Sequence, residues 1–249
     1  MTKILITGGA GFIGSNLTER LLENPDNKIF IFDNFQTGNP KNIEKLFETN
    51  RLDWLDIDVI ETEHILYWID NIQPDEIYHL ACPASPPAYQ KDPIHTLDTC
   101  YIGTKNILQA AKECGAKVLF SSTSETYGDP LEHPQKETYT GNVTYYGSDR
   151  ACYDEGKRVA ETLCYEYQKL GVDVKIARIF NTFGPKMDKN DGRVVTNLIN
   201  QALNNEDMTI YGDGEQTRSL CYIDDLLDGL ISLMASDLKV PVNIGNDQE

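Results

Sequence analysis

Tyrosine and lysine stand four residues apart at three places in this chain: Tyr101 with Lys105, Tyr153 with Lys157, and Tyr165 with Lys169. On a helix that spacing puts phenol and ammonium on one face, one turn apart. The cation then favours the phenolate and draws a phenol with an ordinary pKa of about 10 toward neutrality. The result is a base that can take the proton of an alcohol while the alcohol is oxidised. A second reactive group, Ser122-Thr123-Ser124-Glu125, follows an apolar run. Its hydroxyls can share one oxygen with a phenol, and its carboxylate can hold a proton or orient water. A plain Ser/Thr turn after a strand has the same composition.

Oxidation needs an acceptor, and the N-terminal residues offer a place for one. Thr7-Gly8-Gly9-Ala10-Gly11-Phe12-Ile13-Gly14 sets Gly8, Gly11 and Gly14 at even intervals between an apolar run and a helical pattern. There the backbone must turn tightly and approach a pyrophosphate at the helix N-terminus. Asp33, nineteen residues after Gly14, ends the second apolar run, where a carboxylate accepts from adenosine ribose hydroxyls and repels a 2′-phosphate. The following Asn34-Phe35-Gln36-Thr37-Gly38 contains no arginine to take such a phosphate, so NAD is expected rather than NADP. Asp58 is a further candidate, flanking the adenine.

These groups work only if elements bring them together. Short apolar runs over 3–7, 28–33, 75–80, 117–122 and 172–178 alternate with helical patterns over 12–23, 94–113 and 151–170. Near-continuous apolar strands separated by helices predict an α/β fold, a doubly wound parallel sheet of the Rossmann type. Ligands of such sheets bind at the carboxyl ends of the strands. Only Tyr153 begins a helix after the strand ending Ser121-Ser122. Tyr165 lies three turns further on, roughly 18 Å away at 1.5 Å per residue. Tyr101 sits inside the preceding helix, where an aromatic at helical spacing is more often packing. The segment 123–150 is too long for a plain connector and is expected to carry function. We expect an NAD-binding domain over 1–180 and a smaller substrate lobe over 181–249, interleaved with it, with helical patterns at 194–203 and 223–234 around a short 208–211 run.

The chain has 249 residues, 40% of them hydrophobic, enough for a sizeable core. Its 39 acidic residues against 22 basic ones give a net charge of −17. That balance argues against nucleic acid and membrane surfaces as partners. An anionic substrate then requires arginines that converge locally. The cysteines, Cys82, Cys100, Cys114, Cys152, Cys164 and Cys221, form no C-x-x-C pair, and no secretory leader is evident. Reduced thiols and a cytoplasmic location are expected, with no metal site, and no apolar run approaches the roughly 20 residues of a membrane span.

Taken together, Gly8 to Gly14, His79-Leu80-Ala81, Tyr127-Gly128-Asp129, Tyr153 with Lys157, Arg178-Ile179-Phe180-Asn181-Thr182 and Gly184-Pro185 resemble the extended short-chain dehydrogenases that act on nucleotide sugars. Within that family, Cys82-Pro83-Ala84-Ser85-Pro86, the run from Thr123 to Gln135, Cys152 to Arg158 and Asp191-Gly192-Arg193-Val194-Val195 are similar to UDP-glucuronate decarboxylases. The resemblance implies oxidation at C4 of the glucuronate by NAD, loss of carbon dioxide from the β-keto acid, and re-reduction to UDP-xylose. It implies Tyr153 as base, Lys157 lowering its pKa, Thr123 assisting, and Glu125 and Arg218 near the sugar carboxylate and C5. It further implies cofactor contacts at Phe12, Ile13, Asn34, Gly38, Val59, Leu80, Ala81 and Thr99. Tyr89, Ser124, Asn181, Arg193, Val195, Asn197 and Tyr211 are expected to hold the UDP-sugar. A homodimer through the 94–113 and 151–170 helices is implied too, although core packing would explain the same residues.

Two departures stand out. Cys100 occupies the place where relatives commonly carry asparagine, in Thr99-Cys100-Tyr101-Ile102-Gly103-Thr104. The sequence also stops soon after Val242-Asn243-Ile244-Gly245-Asn246, which suggests a clipped chain or an incomplete substrate lobe. Sibling reactions are the rivals. A 4,6-dehydratase is expected to carry Asp where Ser124 stands, and a 4-epimerase needs neither Glu125 nor Arg218 near a carboxylate. An oxidative decarboxylase would release NADH with a UDP-4-keto-pentose, and a silent NAD-binding scaffold would need none of the catalytic groups.

Overall fold

A computed structural model describes residues 1–210 and 212–248. Strands β1 (Thr2–Thr7), β2 (Asn27–Asp33), β3 (Leu52–Asp56), β4 (Glu76–His79), β5 (Lys117–Thr123) and β6 (Val174–Ile179) alternate with helices. These are α1 (Phe12–Leu22), α2 (Thr62–Ile72), α3 (Pro86–Lys91), α4 (Pro93–Asp98), α5 (Thr104–Cys114) and α6 (Ala151–Lys169). After β6 come β7 (Thr182–Phe183), α7 (Val194–Asn204), β8 (Cys221–Tyr222), α8 (Ile223–Ala235) and β9 (Pro241–Ile244). The main sheet is parallel throughout, in the order β3-β2-β1-β4-β5-β6-β9, and β7 pairs with β8 beside it.

The expected doubly wound sheet is present, and strand alternation shows why both faces must be covered. Ile4, Ile6, Ile29, Ile31, Leu119 and Ala177 point to one side, where Leu17 and Leu21 of α1 and Leu226, Leu230 and Leu233 of α8 bury them. Leu5, Ile77, Val118, Phe120, Val174 and Ile176 point to the other, under Ile65 and Ile69 of α2, Ile107, Leu108 and Ala111 of α5, and Ala160 and Cys164 of α6. Strand order reverses between β1 and β4, so the loops after β1, β4 and β5 diverge and leave a crevice above their carboxyl ends.

Some elements differ from expectation. β3 and β9 fall outside the apolar runs read from the sequence, and so does α2, although its Ile65, Ile69 and Ile72 recur at helical spacing. β3 is the sheet edge, with Asp53, Trp54 and Asp56 exposed, and β9 buries only Ile244. The 94–113 pattern contains a π-turn at Thr99–Gly103 between α4 and α5. Met208, Thr209 and Ile210 form no regular element and are exposed. α8 packs on the β5–β6 face and β9 lies beside β6, so the C-terminal residues return to the main sheet.

Candidate active site

One cleft of about 1880 Å³ runs along the carboxyl ends of the strands. Its floor at one end is the β1–α1 turn. Gly8 takes φ +72 there, and a Cβ on Gly8 would meet the Ala81 backbone at 2.9 Å. At Gly14 a Cβ would lie 2.3 Å from the Gly8 carbonyl oxygen. These clearances let α1 begin directly against β1, and Gly11 provides no side-chain cap. The first-turn N–H groups of α1 therefore have no intrahelical acceptor, and the helix dipole makes this end attractive to a phosphate.

Asp33 closes the adenosine side. Its carboxylate accepts from the backbone N–H of Ala10 and of Phe35, each at 2.8 Å. Burial raises its pKa, and those two hydrogen bonds act in the opposite sense. Gly38 leaves room for the carboxylate, since a Cβ there would approach its Oδ1 to 2.6 Å. Asn34 donates to Asp58 at 2.6 Å, and His95 approaches the same Asp58 oxygen at 3.4 Å. His95 had no role in the sequence reading. Phe12, Ile13, Val59, Leu80, Ala81 and Thr99 also line the cleft, and Gly38 reaches it only through Asp33. The residues fit a dinucleotide with free ribose hydroxyls: a helix N-terminus for the diphosphate and a carboxylate, with no arginine beside it, for the ribose.

At the other end, α6 starts at the mouth of β5 and presents Tyr153 and Lys157 to the cleft, both buried. Tyr101 and Tyr165 are exposed on the outer surface. Tyr153 stacks on Tyr89 of α3, with ring centroids 5.2 Å apart and planes within 9°. Lys157 Nζ donates to the Ser121 carbonyl at 2.7 Å and lies 4.9 Å from the Phe120 ring centroid and 5.9 Å from that of Tyr153.

The expectation that Lys157 draws the phenol toward neutrality meets an opposing influence in the cleft. Burial drives the Tyr153 pKa well above the ordinary phenol value, and the Cys82 and Cys100 thiols push the same way against Thr123 and Arg193. The Lys157 ammonium is directed at a backbone carbonyl instead.

Thr123, Ser124 and Glu125 line the cleft beside Tyr153, and Thr123 Oγ1 accepts from the Glu125 N–H at 3.2 Å. Glu125 is ion-paired with Arg150, which also approaches Asp154 at 3.9 Å. Arg150 was missed in the sequence, because only the return of the 123–150 segment brings it to Glu125. Beneath them, Ser122 and Arg178 converge on Glu161 of α6. The Arg178 guanidinium makes a two-pronged contact at 2.9 and 2.7 Å, and it donates to the Tyr127 hydroxyl at 2.9 Å.

Asn181, Arg193 and Arg218 complete the far wall. Arg193 donates to the Ala84 carbonyl at 2.8 Å and pairs with Asp191 at 3.3 Å. Arg218 is exposed and donates to its neighbour Thr217. Val195 and Asn197 lie on α7 outside the cleft wall, with Asn197 bonded to Gly192. Tyr211 falls outside the described residues. Among those residues no cluster of three metal-ligating side chains occurs, and no helix is long and apolar enough to cross a membrane.

With this geometry in hand, comparison with known proteins is informative. The chain is 54% identical over 248 residues to UDP-glucuronic acid decarboxylase 1 of Xenopus tropicalis, covering 99% of this chain and 57% of that protein. It is 52% identical to UDP-glucuronic acid decarboxylase 5 of Arabidopsis thaliana, covering 70% of it. Among solved structures, UDP-glucuronic acid 4-epimerase from Bacillus cereus, in complex with UDP-glucuronic acid and NAD, superposes with a TM-score of 0.84 at 30% identity, over 98% of this chain and 77% of that one. UDP-glucose 4-epimerase from Thermotoga maritima gives 0.90 at 26% identity, over 99% and 78%. The chain thus spans little more than half the length of the frog relative. The profile that matches residues 4–245 is that of the NAD dependent epimerase/dehydratase family, and the chain belongs to it.

Proposed function

We propose that the chain converts UDP-glucuronate to UDP-xylose and carbon dioxide, with NAD used and regenerated in each turnover. The observation that carries this reading is the 54% identity to a UDP-glucuronic acid decarboxylase over 99% of the chain, a span that includes every cleft residue described above. NAD would supply the hydride acceptor and later the donor, and the positive charge of its pyridinium. The β1–α1 turn would hold the diphosphate and Asp33 the ribose.

Tyr153 takes the proton of the C4 hydroxyl, with Thr123 at the same oxygen. Lys157, bonded to the Ser121 carbonyl beside the phenol, would hold the nicotinamide ribose and favour the phenolate. The C4 ketone is then β to the carboxylate, so carbon dioxide departs and leaves an enolate. Glu125, reached through Arg150, orients the group that protonates C5. Arg218 and Arg193 supply the local positive charge that carboxylate and diphosphate need in an acidic protein, through charge-assisted hydrogen bonds. Asn181, Ser124 and Tyr89 contact the sugar and its nucleotide.

The same reading includes a homodimer through α4, the π-turn, α5 and α6, whose outer faces expose Ile94, Tyr101, Val159 and Tyr165. It also divides the chain into cofactor-binding and substrate-binding parts near residue 180. All six cysteines are free thiols, which suits the cytoplasmic location we propose.

The test is incubation with UDP-glucuronate and substoichiometric NAD, followed by identification of the sugar. Carbon dioxide in step with UDP-xylose is expected. UDP-galacturonate without carbon dioxide, a 4-keto-6-deoxy sugar, or NADH formed in step with a UDP-4-keto-pentose would each assign a sibling reaction instead.

A further inference from the structure

Two thiols meet in the wall of the cleft. Cys82, in the loop after β4, and Cys100, in the π-turn between α4 and α5, lie with their sulfurs 3.4 Å apart. Cys82 is half-buried and lines the cleft, and Cys100 is buried behind it. A disulfide needs about 2.0 Å, so the sulfurs must close by roughly 1.4 Å. Room for Cys100 depends on Gly156 of α6, where a Cβ would sit 3.0 Å from both the Cys100 Cβ and its sulfur. Cys152, the next thiol along α6, is turned to the carbonyls of Tyr89 and Asp149.

We propose that Cys82 and Cys100 form a peroxide-reactive dithiol, a modification site that closes to a disulfide in the cleft wall. Cys82 is the attacking sulfur, because it is the one open to the cleft. The contact with Cys100 holds its thiol below the ordinary cysteine range against burial, and Lys157 acts with that contact. Cys100 is raised by the same contact and by burial. This asymmetry makes one sulfur the nucleophile and the other the resolving thiol.

The Cys82 thiolate attacks one peroxide oxygen, the O–O bond breaks, and hydroxide leaves while Cys82 becomes a sulfenic acid. The Cys100 sulfur then attacks Cys82, its proton goes to the departing hydroxide, and the S–S bond forms. Two thiols and one hydrogen peroxide give one disulfide and two waters. Both sulfurs are oxidised by one electron each, and the peroxide is reduced by two.

The full chain, treated with a small excess of hydrogen peroxide and then alkylated, is expected to retain four alkylatable cysteines of its six. One cross-linked peptide pair should join Cys82 to Cys100 and disappear with dithiothreitol. Cys100→Ser should stop at a Cys82 sulfenic acid captured by dimedone, whereas Cys152→Ser should still lose two thiols. Six free thiols after peroxide, or a cross-link from Cys82 to Cys152, would overturn the assignment. Peptide mapping of the unsubstituted chain decides it even if a variant fails to fold. No substrate or cofactor is needed, so the result is independent of the decarboxylase reading.

Discussion

Tyr153 stacks on Tyr89, near the Cys82 and Cys100 thiols, while Lys157 is bonded to the Ser121 carbonyl. Burial there holds the Tyr153 pKa well above the ordinary phenol value. Tyr153→Phe keeps the stack and removes only the hydroxyl. Turnover is expected to fall by about 10²–10⁴, the usual contribution of a positioned acid–base group, while NAD binding by calorimetry stays within twofold. Loss of NAD binding instead would make the residue structural.

Its neighbour Asp154 makes a separate prediction. Burial is the main cause of a pKa pushed up to about 6, opposed by Arg150 and reinforced by Glu155 and Asp129, and its Oδ1 is buried without a partner. A carboxyl whose pKa is higher folded than unfolded stabilises the protein fully at low pH, and that contribution is lost as pH rises through about 6. Asp154→Asn should therefore raise the melting temperature by about 2–4 °C at pH 8 and leave it unchanged at pH 4. At this scale the sequence was readable where position chooses, as among the three Tyr/Lys pairs. The Glu125–Arg150 and Cys82–Cys100 contacts were not, since chain return rather than local spacing creates them.

Elements decide whether those residues meet. Gly14 lets α1 start against β1, and Gly14→Ala drives a methyl into the Gly8 carbonyl. Overpacking of about 1–3 kcal/mol is expected to weaken NAD binding by about 5- to 150-fold, measured by titration calorimetry. His79 ties three elements: Nδ1 to Thr7 of β1 at 2.7 Å and Nε2 to Thr104 of α5 at 3.1 Å, from the end of β4. Burial, helped by Lys157, pushes its pKa down to about 3, so it is neutral when folded. The unfolded chain binds this proton first, and the stability His79 contributes is full above about 6.5 and lost as pH falls toward about 3. His79→Ala should cost about 2–4 kcal/mol in urea unfolding at pH 7.5 and flatten the decline on the acid side. An unchanged acid slope would assign that decline to other groups. The apolar strands of the sheet centre were legible because both faces bury them. Edge strand β3 was hidden because Asp53, Trp54 and Asp56 meet solvent, and the four-residue β9 because only Ile244 is fully buried.

For the molecule as a whole, the acidic balance and the local arginines are reconciled by geography. Arg150, Arg193 and Arg218 all line the same cleft, within a chain of net charge −17. Light scattering is expected to give twice the chain mass, and Val159→Lys with Tyr165→Lys to give one chain mass with secondary structure intact. An unchanged mass in the double variant would move the interface elsewhere.

Both tryptophans, Trp54 on β3 and Trp68 on α2, stand at one corner of the sheet. Trp54 meets the edge of Phe35 at 5.4 Å, directly after the Asp33–Asn34 pair. Indole emission is therefore expected to respond to filling at the adenosine end more than at the sugar end, where the aromatic pair is two tyrosines. Titrating the chain with an adenine nucleotide alone, and then with a uridine diphosphate alone, should change the emission only in the first case, so the two halves of the site can be followed separately in one cuvette.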